Sequence, residues 1–309
     1  LDGIVSDHVA TLGRPPLSDL ITLGVAVAAI STSAPLIAAT TVPALAISFY
    51  RCLLGSGLTA PWAWVRHRDE WGKLAAVEIR GAALAGLLLA LHFATWISSL
   101  RYTSVASSTA LVSVQPVWAA LLARRAGVYI DKKVWIGISL ALVGVVVLTG
   151  IDFTLDSRSL FGDLLALLGG MLSAAYVTAG ERVRQTVSNS VYTTIVYAVS
   201  AGVLLVMCGL FGTSMTGFGV QGWVTIVALT LGAQLLGHTL INRVLRTTSA
   251  TFSSLAILLE MPGAVLIAAL WLGQVPPASI IPAISLLFAG LVLVIRGSGA
   301  QEVTESPPV

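Results

Sequence analysis

The chain has 309 residues, 56% hydrophobic and only 10% charged, with a mean hydropathy of +0.92 and a formal net charge of +3. Soluble domains carry about 25% charged residues, so this composition places the chain in a bilayer and leaves no room for a separate globular domain. No basic face alternates with aromatics, which excludes a nucleic-acid partner.

Residues 1–16 are polar and end on Pro15 and Pro16, as expected of a cytoplasmic lead; whether Leu1 is the native start is left open. Ten helical spans are expected near 20–39, 43–65, 80–100, 105–124, 134–150, 162–180, 191–212, 222–242, 250–272 and 278–296. Each approaches the ~20 residues that cross a hydrocarbon core of about 30 Å. Helices are the choice because lipid offers no partner to free backbone groups, and the alternating ten-residue segments of a barrel are absent. The first span contains the small residues STSA, yet it is longer than the apolar region of a signal peptide and has a counterpart later in the chain. It therefore reads as a membrane span and not a cleaved leader. Cys52 and Cys208 fall inside spans and read as small core residues. The tail, residues 297–309, is small, acidic and Pro-rich, and disorder is expected.

Lysines and arginines orient the spans. With the N-terminus inside, 14 of the 17 fall in inner segments, Arg101 and Arg158 fall outside, and Arg51 lies within a span. Ten spans with both termini cytoplasmic fit this bias. Trp62, Trp64, Trp135, Trp223 and Trp271 sit near span ends, where amphipathic rings favour the interface.

The sequence repeats itself. SDLITLGVAVAAISTSA from Ser18 matches GDLLALLGGMLSAAYVT from Gly162. LRYTSVASS (Leu100–Ser108) matches LRTTSATFSS (Leu245–Ser254), ALVGVVVL from Ala141 matches LFAGLVLV from Leu287, and Pro116 matches Pro262. The offset stays between 144 and 146 apart from one-residue slips. Two halves follow, residues 17–151 and 152–296, each with five spans. An odd number makes them inverted copies about an axis in the membrane plane, the plan of many secondary transporters. The fold expected is all-α and integral to the membrane.

Ten spans in two halves, Phe49-Tyr50-Arg51 in the second span, LRYTSVASS leading into the fourth, and QPVWAALL from Gln115 resemble the EamA-type members of the drug/metabolite transporter superfamily. The resemblance covers residues 18–296 and rests on the order and spacing of short motifs. It implies a ten-helix inverted repeat, with spans 1–4 and 6–9 around a central cavity and spans 5 and 10 to one side. It also implies metabolite export, often of amino acids or related solutes. The family often carries an acid before the mid-span proline and another at the end of that helix. Here the first half has Gln115, and the second keeps Glu260 but ends in Gln274.

The candidate substrate-binding or coupling residues are Arg51, His92, Trp96, Gln115 and Glu260. An acid at mid-span costs about 2.5–3.5 kcal/mol on insertion scales, so Glu260 should face a wet cavity or a partner. There it can exchange a proton or hold an amine; a fixed packing role is the alternative. Arg51 lies eight residues into its span, roughly 12 Å deep at 1.5 Å per residue. It can clamp a carboxylate or phosphate, pair with Glu260, or cap helix carbonyls. His92, Trp96 and Ser99 share a helix face by i, i+4, i+7 spacing. His92 suits a proton relay or substrate hydrogen bond, Trp96 packing or stacking, and Gln115 an amide contact or interhelical glue. Pro116 and Pro262 free the carbonyls of Val112 and Leu258, which suits a hinge or a static bend beside a cavity. Gln234 and His238 share a face of span 8, and Tyr50, Tyr176 and Tyr197 are weaker candidates.

HExxH, Walker A, GxSxG and CxxC patterns are absent, so no enzyme, cofactor or metal site is expected. The reading is a secondary active transporter of the cytoplasmic membrane that exports a small, amino-acid-like metabolite by alternating access, with protons as a candidate coupling ion. The alternative is a multidrug or organic-cation:proton antiporter working through Glu260. A third is a scaffold or lipid-handling protein without solute flux, in which positions 92 and 257 would be closed to aqueous label. The expected partners are a small-molecule substrate and the lipid bilayer; a homodimer is left open.

Overall fold

The protein is seen in a computed structural model that describes residues 15–103, 105–149, 157–272 and 279–298. The expected lead up to residue 14, the tail from residue 299 and Gln274 lie outside the described residues. Among the described residues every regular element is helical, and the helices join into ten rods. Rod α1 is Leu17–Ile30 continued by Ser33–Ala38. Rod α2 is Ala44–Arg66, with the single turn Arg68–Trp71 after it, and α3 is Ala76–Ser99. Rod α4 is Val105–Val112 then Gln115–Arg125, α5 is Lys132–Thr149, α6 is Ser157–Arg184 and α7 is Asn189–Leu210. Rod α8 is Gly219–Leu229, a π-helical stretch Thr230–His238, and Thr239–Val244. Rod α9 is Ala250–Ile257 then Glu260–Leu272, and α10 is Ile280–Ser298.

Local chemistry sets several ends. Prolines stand before the first residues of α1 and α2, where a missing N–H costs nothing. The Asp131 carboxylate accepts from the Lys133 N–H at 2.7 Å ahead of α5, and the Ser249 hydroxyl from the Phe252 N–H at 3.1 Å ahead of α9. Rods α3 and α6 start several residues before the expected spans, so Arg158 sits in the first turn of α6 and not in a loop. The first turn of α6, Ser-Arg-Ser-Leu from Ser157, is polar and continues the helix without lengthening its apolar run, whereas that of α3, Ala-Val-Glu-Ile from Ala76, is mostly apolar.

The outer surface is oily. Leu58, Val65, Val77, Leu84, Leu164, Val206, Leu210 and Leu231 are all exposed. A continuous apolar exterior of this size marks a lipid-facing surface. Among the described residues five helical stretches are long and apolar enough to cross a membrane: Leu17–Ala38, Ala76–Ser99, Ser157–Arg184, Asn189–Leu210 and Gly219–Val244. Ala250–Ala264 and Ile281–Val294 are shorter apolar helices.

Two apolar cores form. One joins α2, α3, α6 and α7, and the other joins α4, α5, α9 and α10; α1 and α8 contribute to both. The principal pairings are α3 with α6, α5 with α10, α2 with α7, α4 with α6, α8 with α1 and α3 with α7, and α4 also touches α9. Exchanging each rod for the one five places on maps α5–α10 and α2–α7 onto themselves and α3–α6 onto α8–α1, whereas α4–α6 and α3–α7 have only weaker counterparts in α9–α1 and α8–α2. The α5–α10 seam is closed by glycine: a Cβ on Gly137 would stand 2.6 Å from the Gly290 carbonyl oxygen, and one on Gly290 would stand 2.5 Å from that of Gly137. Apolar side chains gain nothing by leaving lipid for one another, so such backbone contact is how membrane helices associate.

Candidate functional site

Four rods lose regular α-helical winding near their middles, and these interruptions meet. Rod α4 breaks at Ser113–Val114 and α9 at Leu258–Leu259, each just before Gln115 or Glu260. Those two residues open the second helical segment of their rods, with Pro116 and Pro262 following and both buried. Proline has no N–H to return to the preceding turn. The Val112 carbonyl released in this way lies against Gly170 of α6, where an added Cβ would come within 2.7 Å of it. The Leu258 carbonyl is not free as expected; it accepts from the Met261 N–H at 3.2 Å in a tightened turn. Rod α1 breaks at Ser31–Thr32, whose hydroxyls bond back to Val27 and Ala29 carbonyls at 2.8 and 2.7 Å. Back-bonding of this kind bends helices.

Between these breaks lies a cavity lined by Ile30 and Ser33 of α1, His92 and Trp96 of α3, and Val112, Ser113 and Gln115 of α4. Ser173 of α6, Ala233, His238 and Ile241 of α8, and Ser254, Ile257, Leu258 and Glu260 of α9 complete it. The centre of a water molecule can range over about 50 Å³ of it, room for a few waters.

His92 Nδ1 lies 2.9 Å from the Gly169 carbonyl oxygen. A carbonyl only accepts, so Nδ1 carries a proton and Nε2 is the nitrogen left to exchange one. The His92 ring stacks on Trp96 with centroids 5.8 Å apart and planes 2° from parallel. The Trp96 indole N–H is buried without a partner. Gln115 donates through Nε2 to Ser254 Oγ at 2.8 Å, tying α4 to α9 across the two halves. Glu260 is partly buried and makes no hydrogen bond or ion pair among the described residues. A carboxylate in that position needs water or a ligand.

Arg51 stands apart. It is not on the cavity wall, and among the described residues it neither pairs with an acid nor caps a helix. It is fully buried behind the wall, with Nε donating to Gln234 Oε1 at 2.8 Å and its guanidinium 4.2 Å from the Phe93 ring centre. Phe93 in turn meets His238 edge-on, with centroids 5.2 Å apart. Among the described residues both Nη atoms of Arg51 and Nε2 of Gln234 lack partners. The π-helical winding presents Gln234 to Arg51 while His238 reaches the cavity, so these two do not act on one face as α-helical spacing implies. Ser99 shares the helix face of His92 and Trp96 but is not on the cavity wall, and it bonds Ser108 at 2.6 Å. Tyr50 closes a loop through the Met215 carbonyl at 2.8 Å, and Tyr176 holds Asn242 at 2.7 Å.

The sequence pattern of the EamA-like transporter family matches residues 18–150 and again residues 160–296. The chain belongs to the EamA-like transporter family. This EamA-like transporter is therefore a multi-pass membrane protein built from two copies of the family's repeat. An uncharacterized transporter of Archaeoglobus fulgidus is 30% identical over 145 residues, 44% of this chain. The match covers 47% of that protein, so the chain spans about half the length of the curated relative it matches. A solved structure described only as a crystal structure of a protein shares the fold, with a TM-score of 0.70 at 17% identity over 89% of this chain and 96% of that one.

Sequence reasoning about this EamA-like transporter overlooked Ser33, Ser113, Ser173 and Ser254 on the cavity wall. Serine is common in membrane helices as a backbone-bonding residue, so these carry no individual signal. The repeat contained the one usable hint, because Ser254 lies in the segment that matches the start of the fourth span.

Proposed function

We propose that the chain is a secondary active transporter that exports a small, amino-acid-like metabolite across the cytoplasmic membrane by alternating access. In this reading ten helices cross the bilayer as two inverted five-helix halves, residues 17–151 and 152–296, and both termini are cytoplasmic. The observation that carries it is a cavity to which both halves bring polar groups at equivalent helix breaks, Gln115 from one and Glu260 from the other. Discontinuous helices with polar ends at mid-membrane are how inverted-repeat transporters hold solutes. A free carboxylate suits a substrate ammonium or an exchangeable proton, and Trp96 stacked on His92 offers a flat wall. The cavity is too narrow for a metabolite as it stands, so loading requires the halves to part.

The test is flux in proteoliposomes driven by a pH gradient. Glu260→Gln is expected to abolish that flux while membrane insertion stays intact, and undiminished flux would refute the coupling role. The same unpaired acid beside an aromatic wall favours a second reading, an organic-cation:proton antiporter. Counterflow of a lipophilic cation against a neutral amino acid separates the two.

A further inference from the structure

A second and wider cavity lies at one end of the bundle, between the C-terminal ends of α2, α6 and α8 and the N-terminal ends of α1 and α7. The centre of a water molecule can range over about 600 Å³ of it. Its wall carries Arg184, Arg243 and Arg246, with His67 and one acid, Asp19. The Asp19 carboxylate is taken by the Thr247 hydroxyl. Glu70, close by, is occupied too, accepting from the Ser188 N–H at 2.7 Å and facing His67 at 3.4 Å. Among the described residues none of the three arginines pairs with an acid.

Arg184 shows that this is more than surface charge. It is 4% exposed, and its Nε and Nη1 donate to the backbone carbonyls of Asn242 and Val187. Carbonyl partners fix the guanidinium without neutralising it. Ser188 and Ser190, at the head of α7 on the same wall, hold buried hydroxyls with no partner. The layer between this cavity and the central one includes α8, whose consecutive residues His238 and Thr239 line the central and the wide cavity respectively. In it Tyr197 meets Thr239 at 2.9 Å and donates to the Gln234 carbonyl at 3.2 Å. Directly behind stands Arg51, held by the Gln234 amide, with two nitrogens unpartnered. Guanidinium groups with no directly paired acid among the described residues therefore stand near this hydrogen-bonded layer, Arg51 on Gln234 and Arg184, Arg243 and Arg246 on the wall of the wide cavity. Clefts lined by one sign of charge concentrate solutes of the opposite sign.

We infer that the wide cavity is an antechamber for solutes bearing a carboxylate, which its arginines gather and deliver to the Tyr197–Thr239 layer. This rests on the transport reading and names its substrate class. In the orientation proposed above the antechamber opens to the cytoplasm, where an exporter collects its load.

The test is thermal stabilisation of the purified full chain by glutarate and by cadaverine, a dicarboxylate and a diamine of equal length, at matched ionic strength. Glutarate is expected to raise Tm and cadaverine to leave it unchanged. Arg243→Gln/Arg246→Gln alters exposed side chains, so its unliganded Tm should hold while glutarate affinity falls about tenfold, the size of one charge-assisted hydrogen bond. Equal stabilisation by cadaverine, or an undiminished glutarate effect in the double variant, would overturn the inference. An anionic lipid headgroup offers similar chemistry, so the measurement is repeated in phosphatidylcholine with and without phosphatidylglycerol. Stabilisation by phosphatidylglycerol alone makes the occupant a lipid and also overturns it. Glutarate binding without any flux would leave a carboxylate-binding cavity standing and remove the transport reading. Flux confined to cations would do the reverse.

Discussion

Replacing Arg51 and Gln234 together by methionine separates a structural role from a functional one. A guanidinium at mid-bilayer costs about 2.5–3.5 kcal/mol on insertion scales. Against that, the structure offers one hydrogen bond from a charged donor, worth ~1.5–3 kcal/mol, and a cation–π contact with Phe93 worth ~0.5–2 kcal/mol. At the middle of these ranges the two sides cancel to within about 1 kcal/mol. Arg51→Met/Gln234→Met removes all of these together and fills similar volume, so its stability should stay within that margin, a Tm shift of roughly 2 °C. Arg51→Met alone leaves Gln234 Oε1 buried without a donor and should cost about 1–3 kcal/mol more. Were Arg51 part of a structural ion pair, its loss would cost ~3–5 kcal/mol. The assay is a fluorescence melt in detergent beside flux in proteoliposomes. The expected result is a near-native melt with no flux. A stability loss above about 3 kcal/mol in the double variant, or full flux in it, would refute this assignment.

Other expectations follow from the packing. Gly290→Leu drives a side chain into the Gly137 carbonyl and should destabilise by ~1–3 kcal/mol or more, seen as a lowered Tm; an unchanged melt would contradict the α5–α10 seam. Gln115→Ala strands Ser254 Oγ and removes a polar wall group. It should cost about 1 kcal/mol of stability and raise KM more than it lowers kcat, whereas a change in kcat alone would point away from substrate contact. With the buried Cys52 and Cys208 changed to alanine, Ile257→Cys should react with a membrane-impermeant thiol reagent. A failure to label under transporting conditions would mean the central cavity never opens to water.

Much of this architecture is legible in the sequence because the bilayer imposes simple rules. Apolar runs of about 20 residues, separated by charged loops, mark the rods, and Pro116 and Pro262 mark two breaks. Gln115 and Glu260 stand out because polar groups at that depth are expensive, and they line the same cavity. Arg51 shows the limit of this reasoning. Depth along a helix follows from counting residues. The partner that turns the guanidinium away from the cavity is Gln234, 183 residues on, in a stretch whose winding is not α-helical. Nothing in TLGAQLLGH announces a π-helix beyond its two glycines. The cationic antechamber escaped for a different reason: Arg184, Arg243 and Arg246 count toward orientation, and a count does not tell a loop from a cavity wall.

The glycine seam between α5 and α10 bears on where motion can occur. Backbone lies on backbone there in both directions, so sliding by even a fraction of a turn would lift each carbonyl off the only residue type that admits it. Neither rod contributes to either cavity. The pair forms a stiff keel, and in the alternating access proposed above opening toward either face would fall to the eight remaining rods, with the interrupted turns of α1, α4, α8 and α9 as pivots.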